Sequence, residues 1–387
     1  MPSEVPEGWR SGRVSDLVAE VTTRINPQNF ADPEMRYLGL EDIGQGTGTV
    51  VSIGRAGDAT SQKSRFAAGD ILFGKLRPNL RKVARPDFDG MCSTDISVFR
   101  AKPHVSPDFA FRVLSSDPVI EHAVANSAGT KMPRTHARSI LSFETVLPPL
   151  DEQQRIADVL RSLDDATASQ GAVVETATGV RQRLSSAYFI DPAEYGGPHP
   201  FGSFGDLFDI KGGSQPPKST FAYEPNPGFV RLLQIRDFER DDKAAYIAEN
   251  ASSVRCREDD ILIARYGASV GRILTGKAGA YNVALTKVVF RTDRVHRRYA
   301  YHWLKSDYFQ RRIAAVSGRS AQAGFNKEDL FPTQLVLPAY QEQEMVADTL
   351  DDLESQVDLA RRAQDAVVAL KESLRSDLLS GRVRVPA

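Results

Sequence analysis

Hydrophobic and polar positions change rhythm twice along the chain. In residues 151–190, and again in 341–387, apolar or small residues (with an occasional glutamine) recur at alternating steps of three and four. The first set is Ile156, Leu160, Leu163, Thr167, Gln170, Val174, Ala177, Leu184 and Tyr188. The second is Val346, Leu350, Leu353, Val357, Ala360, Gln364, Val367, Leu374 and Leu378. This is the narrow seam of a coiled coil, sustained for about four heptads. A helix of roughly 35 residues at ~1.5 Å each spans ~50 Å. So narrow a stripe needs a partner helix, and the other copy is the nearest one, which predicts an antiparallel pair. The alternative, each helix packed on its own domain, usually asks for a wider stripe. At the first start, Asp151 with Gln154 three residues on reads as a capping box, and Glu152 suits the positive end of the helix dipole.

Elsewhere the pattern is mixed. DILF (70–73), ISVFRA (96–101), ILIAR (261–265) and KVVFRT (287–292) are short, apolar runs bounded by turn residues, and read as strands. Residues 107–126 and 297–316 place aromatic and aliphatic side chains at helical spacing. One offset ties the halves together. LPPLDEQQRIADVL begins at Leu147 and LPAYQEQEMVADTL at Leu337, 190 residues later; GDILFGKLRPNLRKV at Gly69 and DDILIARYGASVGRI at Asp259 repeat that interval. So do Asp16-Leu17 with Asp206-Leu207, and LSSDP (114–118) with LKSDY (304–308). The chain is an internal duplication. The expected order is a globular unit over 1–150, a helix over 151–190, a second unit over 191–340 and a helix over 341–387. The fold class is α+β.

Composition adds limits. With 387 residues the chain exceeds one ordinary core. Two cysteines, Cys92 and Cys256, supply neither a disulfide framework nor a multi-cysteine zinc site, and fit a reducing, cytoplasmic setting. MPSEVPEGWR has neither the basic nor the apolar region of a signal peptide, and no run of 18 apolar residues occurs. The net charge of −1 is unevenly spread. The helical segments hold 10 Lys/Arg against 16 Asp/Glu, while 191–340 hold 21 against 17. This permits a basic face on the globular part.

The repeated Leu-Pro-Pro-Leu-x-Glu-Gln junction resembles the signature of the specificity subunit of type I restriction–modification systems. GDILFGKLRPNLRKV and DDILIARYGASVGRI are similar to that family's target-recognition domains, and YLGLEDI (37–43) and LLSGRVRV (378–385) fit as well. Ala339-Tyr340 departs from the Pro-Leu of the first copy. The resemblance covers essentially the whole chain. It implies two tandem, pseudo-twofold related target-recognition domains separated by two long helices forming an antiparallel coiled coil. It further implies a non-catalytic role in phage defence: double-stranded DNA as ligand, two methyltransferase subunits carrying S-adenosylmethionine, and two restriction/translocase subunits using ATP and Mg2+. Each domain would read one half of an asymmetric split target. The helices would set the gap, where ~50 Å corresponds to about fifteen base pairs.

Catalytic patterns are missing from the sequence itself: no Asn/Asp-Pro-Pro-aromatic segment, no Walker lysine motif, and six histidines without metal spacing. GQGTG (44–48) reads as a plain turn. The DNA-binding candidates sit in loops. Lys75, Arg77, Asn79, Arg81 and Lys82 crowd one loop of the first unit, and Arg265, Tyr266, Ser269 and Arg272 the equivalent loop of the second. Lys131 and Arg134, with Arg319, Gln322 and Asn326, lie on later loops. Lys and Arg neutralise phosphates, and Arg, Asn and Gln can bond base edges in a bidentate manner. Competing readings are a stand-alone double-headed DNA-binding regulator and a coiled-coil scaffold that touches no nucleic acid.

Overall fold

The computed structural model describes residues 5–26, 34–58, 61–317 and 324–386. The chain divides into two compact units, one built from two segments distant in sequence and the other from one continuous segment. One comprises 1–171 with 363–387, the other 172–362. The division cuts both long helices, Leu150–Tyr188 and Tyr340–Ser380, near their middles. The start of the first long helix groups with the end of the second, and the end of the first with the start of the second. The physical reason is antiparallel pairing, which brings the end of one helix beside the start of the other.

In the first unit, an antiparallel sheet runs in the order Val18–Val21, Ile96–Ala101, Ile71–Gly74, Val83–Ala84. In the second, Phe208–Gly212, Leu285–Phe290, Leu262–Ala264 and Ile273–Leu274 repeat that order. A two-stranded ribbon leads into each long helix. Ser11 faces Val146 in one, and Phe201 faces Val336 in the other, at the same interval of 190. The register slips once. Val98 faces Val21 and Leu72, whereas Lys287 faces Lys211 and Leu262, so this central strand is offset by 189. Smaller sheets cover the flank: five-stranded in the first unit, three-stranded in the second.

Each helical stretch read as continuous is two helices. Pro107–Leu114 is followed by Asp117–Ala125, and Arg297–Lys305 by Asp307–Ser317. The break falls on equivalent serines. Ser116 Oγ donates to the Val113 carbonyl at 2.6 Å and Ser306 Oγ to that of Trp303 at 2.6 Å, so a side chain replaces the next backbone donor. Ser106 caps the first helix by accepting from Phe109 N–H.

Most seam residues sit on the inward side of the long helices, whereas Tyr188 is exposed. In the first unit, Ile156 and Leu160 are buried in one core with Phe109, Val113 and Leu378, and Leu163 and Leu374 pack against it. Lys371 reaches Asp164 at 2.7 Å. In the second unit Val346 and Leu350 are buried in the core and Leu184 packs beside them. Val357 is buried, while Val174, Leu353 and Val367 are half-buried. Both packing modes expected as alternatives are therefore present: the helix ends sink into the globular cores, and a stretch of the other helix belongs to the same unit. Among the described residues, no helix is long and apolar enough to cross a membrane.

The junction also corrects the expected cap. The first long helix already includes Leu150, so Asp151 lies inside it and pairs with Arg155 at 2.9 Å, while Gln154 is exposed. The buried residue that fixes the start is Gln153. Its amide donates to the Pro148 carbonyl at 2.9 Å and accepts from Ser106 N–H at 3.0 Å. Gln343 does the same with Pro338 (2.9 Å) and His296 N–H (2.8 Å), and adds the Arg294 carbonyl at 3.0 Å.

Candidate nucleic-acid interface

In the first unit, the loop after Ile71–Gly74 turns on a 3-10 segment, Pro78–Leu80, bracketed by Arg77 and Arg81 at φ 52° and 54°. Left-handed backbone is strained for arginine and persists only where surroundings enforce it. Here a second loop does so. Arg77 N–H donates to the Pro133 carbonyl at 2.7 Å, Thr135 N–H to that of Lys75 at 3.0 Å, and Leu76 bridges Arg134. The two loops singled out separately in the sequence thus form one surface. In the second unit Tyr266 bridges Gly324, the same pairing displaced by 190 at both ends.

The candidate side chains divide by what they touch. Arg77, Asn79 and Lys131 are exposed, and among the described residues their side chains have no partner. Arg81 is paired with Asp117, and Arg134 with Asp95 at 2.6 Å. Lys82 donates to the Leu40 carbonyl at 2.6 Å, which makes it an anchor of the loop. Burial pushes the Lys75 ammonium below its ordinary pKa, and the neighbouring charges of Arg24 and Arg134 push the same way. Arg24 was missed by sequence reading because it lies on a distant strand.

In the second unit, Arg265 Nε donates to the Phe325 carbonyl at 3.0 Å and Nη2 to Asn326 Oδ1 at 2.8 Å. Its guanidinium lies 5.1 Å from the Tyr266 ring centroid, and Tyr266 itself is 42% exposed. Arg272 is paired with Glu239 at 2.6 Å. Ser269 is half-buried in the adjoining turn. Arg319 and Gln322 lie outside the described residues. The surface offers cations, amides and one exposed ring, a set suited to phosphates and base edges.

The junction contributes a further group, to which the sequence reading gave only a place at the helix dipole. Glu152 is buried, accepts from Trp9 Nε1 at 2.9 Å, and is clamped by Arg384 through Nε (2.6 Å) and Nη2 (2.8 Å). The Arg384 bonds hold its carboxyl below the ordinary range against the opposing effect of burial. The interval of 190 was the available signal: Glu342 meets His199 at 3.4 Å, and these are the counterparts of Glu152 and Trp9. One trio among the described residues, His302, Asp351 and Glu354, has metal-like spacing. Cationic side chains already occupy it, since Arg298 binds Asp351 at 2.8 Å and Lys305 binds Glu354.

The model of the type I restriction modification DNA specificity domain matches the chain twice, over residues 6–173 and 201–368. The EcoDI specificity subunit of Escherichia coli is 29% identical over 163 residues, 40% of this chain and 34% of that protein. The MjaVIII specificity subunit of Methanocaldococcus jannaschii is 19% identical over 418 residues, 98% of this chain and 94% of the relative. Among solved structures, one of a type I restriction–modification system shares the fold at TM-score 0.65, with 24% identity over 99% of this chain and 100% of that one. The S subunit from M. genitalium does so at TM-score 0.61, with 15% identity over 98% and 97%. Two matched domains on a duplicated frame show that the chain belongs to the type I restriction modification DNA specificity family, as a non-catalytic specificity subunit.

Proposed function

We propose that each unit reads one half of an asymmetric, bipartite DNA target through its joined loops. The observation that carries this is the bridge repeated at Leu76–Arg134 and Tyr266–Gly324, which sets equivalent loops together on both copies. Arg77, Asn79 and Lys131 in one unit, with Arg265, Tyr266, Ser269 and Asn326 in the other, make the direct contacts. Arg319 and Gln322 belong to the same loop by sequence. Arg81, Arg134 and Arg272 reach phosphates by exchanging their carboxylate partners, and Lys75 and Lys82 shape the loop from beneath. The long helices set the gap between half-sites and dock two methyltransferase subunits, which bring S-adenosylmethionine. Two restriction/translocase subunits complete the assembly and supply the steps that need ATP and Mg2+.

The test is methylation sequencing of DNA treated with this chain and its cognate methyltransferase subunit. One split motif with two unlike halves is expected; methylation without a motif, or at a palindrome, defeats the reading. Affinity for that duplex should also fall linearly with the logarithm of salt concentration, as phosphate contacts require.

A further inference from the structure

Within the first unit lies a cavity of about 710 Å³, lined by Val113, Pro118, Phe143, Val146, Leu379 and Arg375 among others. Its size is in the range that takes a ligand or a short peptide. Arg375 is its distinctive group. Nη2 donates to the backbone carbonyl and to the hydroxyl (3.1 Å) of Ser115, whereas the buried Nε has no partner. Burial pulls this guanidinium below its ordinary pKa despite the nearby charge of Glu372. That donor is closed off from solvent, so Arg375 braces the cavity wall through its bonds to Ser115.

The duplication provides an internal comparison. At the counterparts of Pro118 and Leu379 the second unit carries Tyr308 and Phe189, which are 7% and 3% exposed. Pro118 itself is exposed and Leu379 half-buried. One exchange goes the other way, Phe143 against Thr333. Charge differs as well: Glu121 and His122 stand where the second unit has Arg311 and Arg312. The first cavity is lined by four carboxylates, Asp117, Glu121, Glu144 and Glu372. Asp117 and Glu144 are paired, with Arg81 and Arg13, but Glu121 and Glu372 are in no ion pair among the described residues. Carboxylates repel phosphate, so this lining disfavours nucleic acid and suits a cationic peptide.

We propose that the cavity receives a short segment of the methyltransferase subunit, an assignment that rests on the partner reading above. The segment buries apolar side chains against Val113, Phe143 and Leu379, and places Lys or Arg beside Glu121 and Glu372. The test measures association of the full chain with its cognate methyltransferase subunit in the absence of DNA, by biolayer interferometry. Two variants are compared: Pro118→Tyr with Leu379→Phe, which fills the cavity with the larger side chains of the second unit, and Glu121→Lys with Glu372→Lys. Each should weaken association by about tenfold or more, and the loss from the charge variant should shrink as salt rises. If the wild type associates and both variants stay within about twofold of it, the inference is overturned alone. If the wild type does not associate at all, it falls together with the partner reading. Should the filling variant fail to fold, the charge variant, whose positions are both exposed, decides by the same criterion.

Discussion

Replacing Gln153 by alanine removes the side chain that joins the strand exit to the entry of the helix Pro107–Leu114. Gln153 is 5% exposed, and its loss orphans two groups, the Pro148 carbonyl and the Ser106 N–H. Each buried orphan costs about 1–3 kcal/mol, so the variant should lose about 2–6 kcal/mol of first-unit stability. Gln154→Ala is the control: that neighbour is exposed, and surface changes of this kind stay within about 0.5 kcal/mol. Urea unfolding followed by circular dichroism gives the total. Amide hydrogen exchange at Ser106, read by mass spectrometry, locates it. Gln343→Ala, with three bonds to lose, should cost at least as much in the second unit. A loss below about 1 kcal/mol, or unchanged exchange at Ser106, would refute the assignment of the junction glutamine as a long-range tie.

Three further outcomes are expected. Lys82→Ala should lower stability by about 1 kcal/mol through its lost bond to Leu40, whereas Asn79→Ala should leave unfolding unchanged and weaken binding to the methylated motif; the reverse pattern would exchange their roles. Because the folded-state pKa of Glu152 lies below its ordinary 4.5, the stabilisation from Arg384 is complete at neutral pH and is lost as pH falls through the folded value. Glu152→Gln should therefore flatten the acid limb of the stability curve below pH 4.5, and an unchanged limb would remove the pair from the account. Inserting one heptad at matched positions in both long helices adds ~10 Å, so the gap in the methylated motif should widen by about three base pairs with both half-sites retained; an unchanged gap would deny the helices a role as spacer.

Much of the architecture was legible because the duplication repeats its own evidence. The interval of 190 aligns ribbon, loop bridge and junction, and a three-four step along Ile156, Leu160 and Leu163 can bury only one helix face. What local pattern could not supply was long-range pairing. Asp151 and Gln154 satisfy a capping pattern, but Gln153 wins because Ser106, 47 residues away, presents an amide to it. A continuous helical rhythm over 107–126 hides the break at Ser116, since a hydroxyl in place of a backbone donor leaves the apolar spacing intact. Charge alone also could not separate Arg77, which is unpartnered among the described residues, from Lys82, whose ammonium is tied to a backbone carbonyl.

The division of each long helix between two units has a bearing on synthesis. The first unit's core is completed by Leu374 and Leu378, and its Glu152 clamp by Arg384, all of which emerge only after the whole intervening unit, 172–362, has been translated. At ~5–20 residues per second, that delay is about 10–40 s. For that time Ile156 and Leu160 stand without their final cover on the nascent polypeptide, a window in which chaperone capture or premature self-association competes with closure of the first unit.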